Sequence, residues 1–79
     1  KGKKCIMCTK LLKQLKKMVG DNPDEEAIEV AMQKVCSAMG KRLGWACKKI
    51  VKKYREQIYE ALQNDEDPQD TCATMKLCK

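Results

Sequence analysis

The stretch from residue 36 to residue 55 reads Cys36-Ser-Ala-Met-Gly40-Lys-Arg-Leu-Gly-Trp45-Ala-Cys-Lys-Lys-Ile50-Val-Lys-Lys-Tyr-Arg55. Its two cysteines flank a glycine, which is where a pair of helices would turn. After the glycine, one stripe at helical spacing is apolar and consists of Leu43, Cys47, Ile50, Val51 and Tyr54. The opposite face carries Lys41, Trp45, Lys48, Lys49 and Lys52. A tryptophan within a lysine face is not buried by its own helix, and any functional interpretation has to account for it.

Length and cysteine content predict one small, disulfide-stabilised domain spanning residues 1–79. A chain of this size buries only about 60% of its unfolded surface, so its apolar core alone is marginal. Six cysteines without any histidine indicate three disulfides and an oxidising compartment; we expect no metal and no cofactor. We interpret the chain as the mature product of a secretory precursor. No apolar run is long enough to predict a transmembrane segment.

The net charge of +6 is distributed in blocks. Residues 1–20 carry seven lysines and no acid, and residues 41–55 carry seven cations and no acid. All eleven acids fall in residues 21–40 and 56–70. This segregation favours an anionic partner that faces the two basic blocks.

Apolar periodicity predicts a first helix from Lys3 to Val19, closed by Gly20. Its apolar face comprises Cys8, Leu11, Leu12, Leu15, Met18 and Val19. Its far side carries Lys10, Lys13 and Lys17, together with an unexpected Ile6. A second helix is predicted to start with Asn22 as the cap and Pro23 in the first helical position, and to end at Gly40.

A third helix is predicted to begin near Lys41 or Arg42. Its apolar stripe continues in phase through Leu62, so periodicity cannot distinguish one long helix from two that meet at a bend near Lys53. Asp67-Pro68 then predicts the start of a last short helix. No segment alternates as a strand does, and the predicted fold class is all-α.

Helical geometry restricts how the six cysteines can pair. Cys36 and Cys47 flank the predicted turn, so a bond between them would join the second helix to the third. Antiparallel docking of the first and last segments would give two nested bonds, Cys5–Cys78 and Cys8–Cys72. In the chain-entropy model each bond would stabilise the fold by about 3 to 4 kcal/mol.

The complete cysteine pattern resembles that of the saposin-like family. The pattern is Cys-x2-Cys at 5 and 8, Cys-x10-Cys at 36 and 47, and Cys-x5-Cys at 72 and 78, with prolines at 23 and 68. The resemblance covers the whole chain and implies five helices folded as two hinged leaves, with the nested disulfides described above. It also implies interaction with lipids or membranes.

Within that family, three segments resemble the NK-lysin and granulysin branch of antimicrobial proteins. They are Cys5-Ile-Met-Cys-Thr-Lys-Leu-Leu12, Met18-Val-Gly20 and Gly44-Trp-Ala-Cys-Lys-Lys-Ile50. The branch is cationic, lyses microbial membranes and is released from cytotoxic granules. Unlike the usually acidic, glycosylated saposins, this chain is basic and has no glycosylation sequon. Its acidic blocks dilute the positive charge more than the branch would suggest.

We therefore expect a secreted, non-enzymatic, cytolytic host-defence protein whose partners are anionic phospholipid membranes, on which it could oligomerise. The predicted contact residues are Lys10, Lys13, Lys17, Lys41, Arg42, Trp45, Lys48, Lys49, Lys52, Lys53 and Arg55. A tryptophan suits the headgroup boundary, and lysines suit an anionic leaflet.

Two other functions are weighed against this one. A non-lytic lipid carrier that activates a lipid hydrolase would use the same fold, but it would not require Trp45 to lie among lysines. A nucleic-acid binder would also use basic faces, but the chain has only three aromatic residues and no recognition motif, so no specific nucleic acid is expected.

Overall fold

Five helices make up the computed structural model, which describes residues 2–21 and 23–78. They are α1 (Lys3–Val19), α2 (Glu25–Ala38), α3 (Gly40–Lys53), α4 (Arg55–Gln63) and α5 (Pro68–Thr74). Within those two ranges there is no strand, so the predicted all-α class is confirmed. The long third stripe is divided into two helices, because Tyr54 leaves helical geometry with φ −111° and ψ 27°.

The start of α2 corrects the sequence prediction. The cap is Asp24, whose carboxylate accepts a hydrogen bond from the backbone N–H of Ala27 at 2.7 Å. Pro23 therefore precedes the helix instead of occupying its first turn, and the predicted cap Asn22 lies outside the described residues. An aspartate caps as well as an asparagine and adds a negative charge at the positive end of the helix dipole.

The start of α5 follows the prediction. Asp67 is the cap, and its carboxylate accepts hydrogen bonds from the backbone N–H groups of Gln69 and Asp70 at 3.1 and 3.3 Å. Pro68 occupies the first turn, where a missing N–H costs nothing.

The turn between α2 and α3 lies one or two residues earlier than the sequence predicts, which placed the end of α2 at Gly40 and the start of α3 near Lys41 or Arg42. α2 ends at Ala38 and α3 begins at Gly40, so only Met39 separates the two helices. Gly40 has a φ of +87°, a conformation that glycine adopts at little cost.

The core lies where all five helices meet. Its largest fully buried aliphatic side chains are Leu11, Leu12, Leu15, Ile28 and Ile58. Two residues expected in the apolar stripes are not part of it: Met18 is 47% exposed and Leu43 is 53% exposed. Both border a groove between α1, α2 and α3 that no element fills, which is why their phase on the helix does not bury them.

Three disulfides link these helices covalently. They join Cys5 to Cys78, Cys8 to Cys72 and Cys36 to Cys47. The first two are the pairs expected from antiparallel docking of the first and last segments, and the third is the pair expected across the turn between the second and third helices. The first two fasten α1 to α5 and the segment after it. The third fastens α2 to α3, and no cysteine is left unpaired in the described part of the chain.

Gly44 allows α2 and α3 to approach closely. It is buried, and a Cβ atom at this position would lie 2.7 Å from the backbone carbonyl oxygen of Cys36. The contact lies between two backbones that the Cys36–Cys47 bond already joins, so neither can move aside easily.

The α2–α3 hairpin is also held against α4. The carboxylate of Glu29 on α2 pairs with the guanidinium of Arg55 and accepts a hydrogen bond from the hydroxyl of Tyr59, both on α4. The Cα radius of gyration is 11.2 Å, close to the value of about 11.6 Å expected for a compact domain of this length. The α2–α3 hairpin is thus packed against α1 and α4.

Because the two outer disulfides are nested, removing one of them is predicted to lower the free energy of unfolding by less than half as much as removing both. While Cys5–Cys78 remains, Cys8–Cys72 closes a ring of only roughly ten residues, so a Cys8→Ala/Cys72→Ala variant loses about 3 kcal/mol. A variant lacking both bonds loses about 7 kcal/mol and no longer folds at 25 °C. Urea denaturation followed by circular dichroism measures both. Retention of a cooperative transition without either bond would contradict this account.

Gly44→Ala is predicted to lower the free energy of unfolding by about 1–3 kcal/mol, although alanine favours helix more than glycine does. The added methyl group meets the Cys36 carbonyl, and this clash outweighs the gain in propensity. Gly2→Ala is the matched control, because a Cβ atom there has open space around it. Thermal denaturation measures the stability of both variants. A Gly44→Ala variant as stable as the wild type would contradict the packing argument.

Candidate membrane-binding surface

The outward face of α3 is made of cations and one large apolar ring. Trp45 is 64% exposed, the largest exposed fraction among the exposed large apolar side chains. Every cation that the sequence placed on this helix is also exposed: Lys41, Arg42, Lys48, Lys49, Lys52 and Lys53. The lysine face with a central tryptophan, read from the sequence, is therefore a solvent-facing surface.

A cation–π contact orients the indole within this face. The ammonium nitrogen of Lys49 lies 4.3 Å from the centroid of the Trp45 ring. Such a contact contributes about 0.5–1 kcal/mol at an exposed site. The pair therefore places an apolar ring and a positive charge side by side on the protein surface.

The first helix presents a second surface of the same kind. Lys10, Lys13 and Lys17 are exposed on α1, and Ile6 beside them is 58% exposed. α1 carries no acidic residue at all. Both basic helices thus combine an exposed apolar side chain with uncompensated positive charge.

The N-terminal ends of the two basic helices carry charges that the helix dipole disfavours. Lys3 and Lys4 begin α1, and Lys41 and Arg42 begin α3, so cations sit at the positive end of each helix dipole. Neither helix has an acid in its first turn or a side-chain cap. α2 and α5, by contrast, have aspartate caps and acids in the first turn. Lysines in the last turns of both helices, Lys16 and Lys17 on α1 and Lys52 and Lys53 on α3, are favourable to the dipole, so only the N-terminal cations act against their own helices.

Few of these cations are neutralised by neighbouring acids. Among the described residues there are two ion pairs, Lys16–Asp65 at 3.0 Å and Arg55–Glu29. Arg55, which the sequence assigned to the contact surface, therefore also holds α4 to α2. The other predicted cations have no carboxylate partner within the described ranges.

Two grooves lie beside this surface, and the sequence did not reveal them. The α1–α2 groove, about 670 Å³, is bordered by Ile6, Met18, Lys34 and the first turn of α3. The α1–α3 groove, about 740 Å³, runs past Trp45 to the segment after α5. Leu43 borders both grooves. The only signals in the sequence were the basic blocks at residues 1–20 and 41–55, which supply most of the lysines that line the grooves. The grooves themselves could not be predicted, because a groove depends on how the helices pack and not on the phase of one helix.

The surface is suited to binding anions and apolar groups, and not to holding a metal. Within the described part of the chain, no cluster of three acidic, histidine or cysteine side chains could hold a metal ion. The same residues include no helix with both the length and the hydropathy needed to cross a bilayer.

Comparisons with known proteins agree with this architecture. Residues 3–40 match region 1 of the saposin-like type B family, and residues 46–78 match region 2. The chain is 37% identical over 78 residues to "Antimicrobial peptide NK-lysin" of Equus caballus, covering 99% of this chain and 53% of the relative. It is 35% identical over 75 residues to the protein of the same name from Sus scrofa, covering 95% and 57%. This chain thus spans little more than half the length of those two relatives.

A third relative is more distant. "Saposin-C" of Cavia porcellus is 26% identical over 74 residues, which cover 94% of this chain and 91% of that protein. No solved structure matches the chain significantly. The two regions of the family together cover nearly the whole chain, and they agree with the five helices and three disulfides described above. The chain belongs to the saposin-like type B family and is similar to NK-lysin.

Proposed function

We propose that this protein is a secreted, cationic antimicrobial effector that binds and disrupts anionic membranes. The observation that carries the proposal is the exposed Trp45 at the centre of a lysine face. An exposed tryptophan is unfavourable in water but suits the boundary between lipid headgroups and acyl chains. The similarity to NK-lysin and the disulfides, which suit an oxidising compartment, support the proposal.

The charges on α1 and α3 are sufficient for selective binding. A basic residue close to an anionic leaflet contributes about 1 kcal/mol. If about five to seven of the exposed cations engage, the electrostatic part corresponds to a dissociation constant on the order of 10 to 100 µM. On a neutral membrane this part is absent. Charge therefore selects the membrane, and insertion of apolar side chains causes the damage.

The contact surface that we propose consists of α3 with its Trp45 anchor, together with the basic side of α1. Ile6 and Leu43 are exposed apolar side chains near the lysines and would follow Trp45 into the interface. Arg55 contributes less than the other cations, because its guanidinium is paired with Glu29. Release through cytotoxic granules, and assembly of several copies on the membrane, belong to the same proposal.

A second candidate is a non-lytic lipid-binding protein that activates a lipid hydrolase. Two observations favour it: the similarity to "Saposin-C" and the two largely apolar grooves. Catalysis by the chain itself is not proposed, because the sequence has no histidine and the described cysteines are all paired.

Dye release from vesicles tests which function is performed. We expect fast release from vesicles rich in phosphatidylglycerol and none from phosphatidylcholine vesicles. Lys48→Glu/Lys49→Glu changes four charge units and is predicted to weaken binding by about a hundred- to a thousand-fold. Trp45→Ala should retain most electrostatic binding and lose release.

The charge-matched control compares Lys48→Glu alone with Lys76→Glu, which makes the same change at an exposed residue that lines neither groove and lies away from the basic face of α3. Release should fall much less in Lys76→Glu. Equal loss in both single variants would mean that only net charge matters. Binding to both kinds of vesicle without release would replace the lytic function by the lipid-binding one.

A further inference from the structure

We propose that the α1–α3 groove is a binding site for a single anionic phospholipid molecule. Five lysines would hold the phosphate, and the apolar wall between the two helices would hold the acyl chains. The inference rests on the proposed membrane function and makes it more specific. It assigns one lipid to one place, whereas a charged surface would attract anionic headgroups in general.

The five lysines come from two helices that are far apart in the sequence. Lys3 and Lys4 lie at the start of α1, and Lys49, Lys52 and Lys53 lie in the second half of α3. All five are exposed, and no carboxylate is among the residues that line the groove. None of them is paired with an acid in the described part of the chain. Like charges around one groove repel one another, and a phosphate bound among them would relieve that repulsion.

The surface between the lysines is apolar. Met7 from α1, Leu43 and Ile50 from α3, and Leu77 after α5 form it, with the Trp45 ring at one side. Met7, Ile50 and Leu77 are only half-buried, so the protein itself does not cover them fully. The volume of about 740 Å³ falls within the range of about 300–1,000 Å³ typical of small-molecule sites.

The neighbouring groove provides room for a second acyl chain. Lys3, Met7 and Leu43 line both the α1–α3 groove and the α1–α2 groove, so the two grooves are adjacent and meet at these residues. The α1–α2 groove is itself bordered by Ile6 and Met18, both unusually exposed. A lipid with its phosphate near Lys3 would have an apolar path on either side.

These features favour a lipid over the other anions that lysines attract. Free phosphate would gain nothing from the apolar wall. A nucleic acid would make use of stacking, and only one tryptophan and one tyrosine border the groove. An anionic lipid uses both the positive rim and the apolar wall.

Trp45 allows a direct test, because it is the only tryptophan in the chain and it borders the groove. The probe is dihexanoyl phosphatidylglycerol, titrated below its critical micelle concentration so that no membrane is present. We expect a saturable blue shift of the Trp45 emission at one lipid per protein. Dihexanoyl phosphatidylcholine and inorganic phosphate, as separate arms, should bind at least tenfold more weakly.

Two charge-matched double variants on α1 separate a site from a charged surface. Lys3→Ala/Lys4→Ala removes two groove lysines and should weaken binding of the soluble lipid by about ten- to thirty-fold. Lys13→Ala/Lys17→Ala removes the same charge from residues that line neither groove, and should leave that binding within about twofold. Leu43→Ser, at an exposed position, tests the apolar wall and should weaken lipid binding while inorganic phosphate is unaffected. Circular dichroism verifies that all three variants are folded.

The outcomes distinguish a specific lipid site from general attraction to a charged surface. Equal weakening by the two lysine double variants, or binding of phosphate as tight as that of the lipid, would overturn the site. Vesicle binding serves as the independent readout, since it should fall in both double variants. If vesicles are lysed but no saturable lipid binding is seen, the site is wrong and the proposed function stands. If soluble lipid binds as expected but no vesicle is lysed, the site stands and the lytic function is wrong.

Discussion

Two nested disulfides, Cys5–Cys78 and Cys8–Cys72, hold the first helix against the last and close the structure around its small core. Apolar burial alone would be marginal for 79 residues. Because covalent bonds supply part of the stability, side chains that would otherwise be needed in the core can remain outside it. Ile6, Leu43 and Trp45 are exposed in a molecule that stays compact.

The sequence predicts most of the fold because that part depends on local spacing. Helical periodicity, capping residues and cysteine spacing place the helices and bring the correct helices together. The predictions are wrong where several residues could serve the same role, or where packing against another helix determines whether a side chain is buried. Asp24 replaces the predicted cap because several polar residues precede α2 and spacing alone does not choose between them. Leu43 and Met18 have the phase of core residues, but no element packs over them.

The candidate site is predictable to a similar extent and for the same reason. The cationic face of α3 and its tryptophan follow from phase on a single helix, and the structure exposes them as expected. The pairing of Arg55 with Glu29, and the presence of α1 and α3 lysines around one groove, depend on tertiary packing. Those features link the proposed membrane contact to a specific place between two helices.

The most direct test of the account is the depth of Trp45 in a membrane. Phosphatidylglycerol vesicles would carry lipids brominated at successive positions along the acyl chain, and quenching of the Trp45 emission would be measured for each. The account predicts the strongest quenching by bromines nearest the headgroup boundary, and none when the vesicles are made of phosphatidylcholine. Protein that binds phosphatidylglycerol vesicles without quenching at any depth would contradict the account, because the face around Trp45 would not be the one that meets the lipid.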